Sequence, residues 1–281
     1  MAALGVAIAG GFVVGVHVVL PFGLNSLGLV NSAFGREPVA ALTFWVLALL
    51  ALSVLTLRPP PSRKERDRMT RVLALEGVSK SFRGVPLLTS VDLELLEGEC
   101  LALSGPNGSG KSVLFRLACR LAVPDAGRVA ISPKYLHPKR TFPQSFGVII
   151  DRPGYVASRT GLDNLLELAS IRSIVGEQEV REAMGMVGLD PETPQAVGRY
   201  SLGMKQKLAL AQAFMEGQQV LLLDEPFNAL DEKSVVRTRD ILRRFLNEGR
   251  TIMFASHNAD DVAALSTRHV RIQDGRVVPA T

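Results

Sequence analysis

Cysteine is nearly absent from the chain, which carries only Cys100 and Cys119 among its 281 residues. Two thiols, each inside an apolar run, exclude a disulfide scaffold and a Cys-rich zinc module, and read as small core residues in a reducing cytoplasm. Internal repeats and low-complexity tracts are also missing, which excludes solenoids and linker-like chains. Basic excess is missing where nucleic acid would need it. The net charge is +5, but residues 1–71 hold seven Lys/Arg against three acids, which leaves about +1 for the rest. A main body so close to neutral offers no electrostatic footprint for a phosphate backbone, so no nucleic-acid partner is expected. The basic stretch suits instead a collar beside anionic headgroups.

Charge of either sign is lacking in residues 2–24 and 38–57, two runs of about the ~20 residues that a bilayer-spanning helix requires. The second is rich in Leu and Ala, contains Trp45 and ends at Arg58, while the first carries Gly10, Gly11 and Gly15. The first lacks a positive start and a small-x-small cleavage site, which argues against a signal peptide. The expected organisation is therefore two transmembrane helices in residues 1–58, a basic juxtamembrane linker over 59–71 and a main domain over 72–281. The positive-inside rule puts the collar in the cytoplasm and residues 25–37 outside. Such a hairpin would be an anchor or docking piece, a remnant of a fused permease, or an untranslated upstream extension of the reading frame. His17, alone in an apolar run, reads as a packing or headgroup contact rather than a proton relay.

What is abundant is concentrated in one stretch. Gly105, Pro106, Asn107, Gly108, Ser109, Gly110, Lys111 and Ser112 have the G-x-x-x-x-G-K-[ST] spacing of a phosphate-binding loop. The glycines let backbone N–H groups face inward with no Cβ in the way. Lys111 supplies a point charge for terminal phosphates, and the Ser112 hydroxyl is a hard oxygen suited to Mg²⁺. Context supports this reading: residues 100–104 form an apolar run of strand length. Val113, Leu114, Leu117, Ala118 and Leu121 then recur at helical spacing.

Further motifs follow in order. Residues 220–223 are four consecutive aliphatics ending in Asp224-Glu225, His257 follows the strand-like run 251–256, and residues 200–206 read Tyr-Ser-Leu-Gly-Met-Lys-Gln. With these, residues 72–281 resemble an ABC-type ATPase, and the expected fold is α/β: a P-loop NTPase with a helical subdomain, preceded by the transmembrane hairpin. The resemblance implies ATP and Mg²⁺ as ligands. It implies that Phe82 stacks on adenine, that Asp224 supports Mg²⁺ through its hydration shell, that Glu225 polarises the attacking water and that His257 contacts the γ-phosphate. Ser201 and Gly203 stand where the family places its signature motif, which would reach the γ-phosphate held by a second subunit, so hydrolysis would need a dimer. Residues 228–231 resemble the D-loop that crosses between two such subunits.

Two departures from the family pattern stand out. Leu202 and Met204 replace the commoner Gly and Gln, in a form similar to that of bacitracin-exporter-like drug-efflux ATPases. Asp151 replaces a Gln that ligates Mg²⁺, and reads equally as a metal ligand, as a partner for Arg152 or as the mere start of a loop. Residues 161–188, with Leu162, Leu165 and Leu166 on one side, correspond to a helical arm where a permease docks. Residues 270–278 read as a hairpin around Asp274-Gly275, with no regulatory domain expected beyond it. The function implied is the ATP-hydrolysing subunit of an exporter on the cytoplasmic side of the inner membrane, partnered by a separate permease. The alternative is a membrane-anchored ATPase with a regulatory or immunity role and no transport.

Overall fold

The computed structural model describes residues 6–9, 12–16, 70–151 and 153–280, in two compact units that divide after residue 59. The first unit contributes strands β1 (Val6–Ala9) and β2 (Phe12–Val16), paired antiparallel with Ala9 opposite Phe12. Strand pairing there replaces the helix expected through residues 2–24. The reason is local: Val6, Ile8, Val13, Val14 and Val16 are β-branched and lose side-chain freedom in a helix. The intervening Gly10-Gly11 is also a sequence that two-residue hairpin turns favour. The second expected span, most of the linker and His17 lie outside the described residues. Among the described residues no helix is long and apolar enough to cross a membrane.

The second unit begins with β3 (Arg71–Phe82) and β4 (Val85–Leu96), then β5 (Cys100–Ser104) leads into helix α1 (Lys111–Ala118). Strands β6 (Ala126–Ile131) and β7 (Phe146–Ile149) precede the helical arm, α2 (Gly161–Arg172) and α3 (Glu177–Met186). After a 3-10 turn at Val197–Arg199 come α4 (Leu202–Phe214), β8 (Val220–Asp224), α5 (Glu232–Asn247), β9 (Thr251–Ala255) and α6 (Ala259–Leu265). The hairpin β10 (Arg268–Gln273) and β11 (Arg276–Pro279) is the last pair.

Six strands form one sheet in the order β11-β10-β5-β9-β8-β7, parallel throughout except for the β10–β11 pair. A parallel sheet covered on both faces needs continuous apolar strands, and β5, β8 and β9 have them. Leu221, Leu223, Ile252 and Phe254 face a core shared with α2–α5, whereas Val220, Leu222, Met253, Leu101 and Leu103 face α1 and strands β3 and β4. A second, antiparallel sheet in the order β4-β3-β6 covers that latter side. The expected helical arm is present, with Leu165 buried and Leu162 and Leu166 packed on the core. The expected hairpin is present too: Asp274 (φ 49°) and Gly275 (φ 72°) take the left-handed pair of angles that a tight turn between twisted strands requires. Cys100 and Cys119 are buried and unpaired, and burial pushes the Cys119 thiol up to about 11, so both behave as small apolar groups.

Candidate nucleotide site

Strands β5, β8 and β9 are neighbours in the sheet, so their carboxyl ends bring together segments far apart in sequence. From β5 the chain turns through residues 105–110 into α1. Gly105 takes φ 151°, and a Cβ there would sit 2.8 Å from the Ser109 hydroxyl; Gly110 takes φ 102° and lies against Leu87 and Leu88. Only glycine meets both demands. Pro106, Asn107 and Gly108 form an exposed crest, while Lys111 is only 8% exposed. Its Nζ donates to the carbonyls of Gly105 at 2.9 Å and Pro106 at 3.3 Å. The ammonium is thus held at the mouth of the loop. Ser109 Oγ is buried and has no protein partner, a hydroxyl that a phosphate oxygen would satisfy.

The loop opens into a cleft of about 730 Å³ lined by Lys111, Ser112, Asp151, Asp224, Glu225 and Gln206 among others. The Asp224 carboxyl is held above its usual range by burial. Glu225 and Asp151 add repulsion, while a hydrogen bond from Ser112 and the charge of Lys111 work the other way. A raised folded-state pKa means that the ionised carboxylate costs stability at neutral pH, and that this cost disappears as the pH falls through the raised value. Asp224→Asn is therefore expected to melt higher than the wild type at pH 7 without nucleotide, and to lose that advantage at acidic pH. Thermal melts across the pH range check this, and a lower melting temperature at pH 7 would contradict it.

Glu225, immediately after β8, adopts φ 51°, and its Oε2 lies 3.0 Å from His257 Nδ1. The turn carrying His257 is anchored from below. Buried Asp261 receives Arg239 Nε at 2.8 Å on one oxygen and the Ser256 hydroxyl at 3.1 Å on the other, and Ser256 Oγ in turn accepts the Asn258 N–H at 3.1 Å. Sequence reading found His257 but not this anchor. Its only advance sign is an acid in the first turn of α6.

Asp151 has a partner that the sequence reading did not name. Arg152 lies outside the described residues, and the Asp151 carboxylate instead receives both Nε (3.0 Å) and an Nη of Arg116 on one oxygen. Arg116 stands one helical turn after Ser112 and so shares its face of α1, a spacing that could have been read in advance. Ser201 caps α4, its hydroxyl accepting the Met204 N–H at 3.1 Å, and Leu202 beside it is exposed. Tyr200 is buried, with its hydroxyl accepting the N–H of Gly161 at 3.2 Å, which ties this motif to the helical arm. Phe82 closes β3 half-exposed, with Lys80 Nζ 5.9 Å from its ring centre. It does not line the cleft.

The Ser112 hydroxyl beside the Asp224 carboxylate is a pair of hard oxygens that fits a hydrated Mg²⁺, which takes few ligands from protein. A glycine loop opening a helix, a lysine at its mouth and two acids ending the adjacent apolar strand define a P-loop nucleoside triphosphatase.

The comparisons narrow the class. The ABC transporter family model matches residues 88–228. The ABC transporter ATP-binding protein YybJ of Bacillus subtilis is 34% identical over 72% of this chain and 92% of its own length. The bacitracin transport ATP-binding protein BcrA of Enterococcus faecalis is 32% identical over 75% of this chain and 69% of its own. A solved dimeric ATP-binding cassette, MJ0796 bound to ADP and Pi, superposes with a TM-score of 0.64 at 23% identity, over 73% of this chain and 96% of that one. The chain belongs to the ABC transporter ATP-binding family, and it is an ATPase.

Proposed function

We propose that this ATPase works as the motor subunit of an exporter, hydrolysing ATP in a head-to-tail dimer to drive transport through a separate permease at the inner membrane. The observation that carries the reading is the open start of α4. The loop, Asp224, Glu225 and His257 converge within one chain, while Leu202, which lines the same cleft, and Ser201 beside it are exposed to solvent. An exposed helix start with a hydroxyl and free N–H groups is what a second subunit's γ-phosphate would need. The subunit facing it would be a second copy or a close relative.

Lys111 and the loop amides hold the phosphates, with Ser112 and Asp224 as the residues that would hold Mg²⁺, whose charge would offset that developing on the phosphates. Glu225 takes the proton of the attacking water, and His257, 3.0 Å from it, orients the γ-phosphate. Phe82 offers its exposed ring to adenine. Asp151, neutralised by Arg116, sits where the helical arm and permease would meet the site. Kinship to bacitracin transport proteins favours a drug or peptide as cargo. The basic stretch 58–71 favours attachment at a membrane surface.

Glu225→Gln tests the reading directly. Hydrolysis is expected to fall by about 100-fold or more while ATP-bound dimer accumulates, seen by size-exclusion chromatography of the same samples. Wild-type turnover by the variant, or turnover by a strict monomer, would overturn it.

A further inference from the structure

Gln206, in the second turn of α4, donates from Nε2 to the carbonyl of Glu225 at 3.2 Å and to that of Pro226 at 3.0 Å. These two carbonyls belong to the turn that aims the Glu225 side chain. Glu225 there holds φ 51° and Ala229 holds φ 62°, left-handed conformations that are uncommon and costly for a non-glycine residue. The same face of α4 enforces the second of them. Gly203 lies so close that a Cβ on it would be 2.8 Å from the Ala229 carbonyl oxygen. One helix therefore braces both strained residues of the segment that follows β8, by close approach at Gly203 and by a forked donor at Gln206. A further bond closes the turn, from the Asn228 N–H to the Glu225 carbonyl at 3.2 Å.

We infer that Gln206 is a positioning residue for hydrolysis, coupling the start of α4 to the carboxylate of Glu225 in the same chain. Its amide fixes the backbone of residues 225 and 226, and thereby the place from which Glu225 meets the water. Any shift of α4 on engaging a neighbouring subunit passes through this bond into the chain's own catalytic acid. ATP seen by the α4 start of one subunit thus bears on hydrolysis in that subunit's own cleft. The inference rests on the reading of Glu225 as the water-polarising acid and of α4 as the surface that meets the second subunit.

The test compares Gln206→Met, which keeps length but has no donor, with Gln206→Lys, which restores donors to the two carbonyls. The expected result for the Met variant is a kcat about 10-fold lower, because small misplacements of a catalytic group cost that much or more. Its KM for ATP should stay within about twofold, since the phosphate loop is untouched. The Lys variant should recover most of the rate. Should the Met variant not fold, Gln206→Leu, which also lacks a donor and adds no charge, is read in the same way.

A wild-type kcat in the donor-less variants would overturn the inference. So would a loss that the Lys variant shares in full, or a loss confined to KM. Glu225→Gln, measured beside them, separates the two failures. An active Glu225→Gln sinks the functional reading, whereas an inactive Glu225→Gln beside a fully active Gln206→Met sinks this inference alone.

Discussion

Replacing Lys111 by Ala is expected to weaken ATP binding by about 100-fold, with hydrolysis falling below detection. The ammonium is nearly buried and rests on two loop carbonyls, at 2.9 and 3.3 Å. It can exchange those neutral partners for phosphate oxygens with little movement. Hydrogen bonds to charged groups contribute about 1.5–3 kcal/mol each, and a loss near the top of that range corresponds to roughly 100-fold in affinity. Removing the cation has a second effect, because Lys111 is one of the groups that hold the Asp224 carboxyl down. Its loss leaves Asp224 and Glu225 facing incoming phosphates without a counter-charge. Equilibrium titration with a fluorescent ATP analogue reads the affinity. A value within threefold of the wild type would show that the loop amides alone do the binding.

Gly147→Ala is expected to be strongly destabilising through a single added methyl group. Gly147 lies in β7 where the strand passes directly against α4, and a Cβ there would overlap the carbonyl oxygen of Ala213, far inside van der Waals contact, and lie 2.7 Å from a methyl of Leu221. The position has no unusual backbone angle, so the objection is purely one of space. Overpacking against backbone cannot be relieved by a rotamer change, and the expected cost is about 3 kcal/mol. For a domain of this size that lowers the melting temperature by roughly 6–12 °C. Urea unfolding measures the cost. A change under about 0.5 kcal/mol would show that α4 is free to slide away from the sheet.

The parts of the site that the sequence displayed are those whose chemistry is local. Residues 105–112 are legible from their spacing together with the apolar strand before them and the helical pattern after, and the apolar run before Asp224-Glu225 announces both a buried strand and the place where its acids emerge. His257 is singled out by its order after Asp224-Glu225 as well as by the strand ahead of it. The parts that stayed hidden depend on contacts between distant segments. Asp151 meets Arg116 across 35 positions, and Arg239 reaches Asp261 from a different helix. Gln206 reads as an ordinary helix residue until α4 is seen against the turn after β8. Gly147 resembles any strand glycine until the carbonyl of Ala213 stands beside it. The first uncharged run, residues 2–24, differs for another reason. Its lack of charge answers to length and hydropathy, which favour a membrane helix, while its valines and paired glycines answer to backbone preference, which favours the strands seen at Val6–Ala9 and Phe12–Val16.

The position of β5 in the sheet also fixes when the site can come into being. Its hydrogen-bonded neighbours are β9 and β10, which begin about 150 residues further along the chain. On a ribosome adding ~5–20 residues per second, the phosphate-loop strand emerges some 8–30 seconds before either neighbour exists. Nucleotide therefore cannot act as an early template for this protein. Until β9 emerges, the bare apolar edge of β5 is a surface that chaperones must shield, and a nascent chain stalled before residue 251 would be apolar, sticky and blind to ATP.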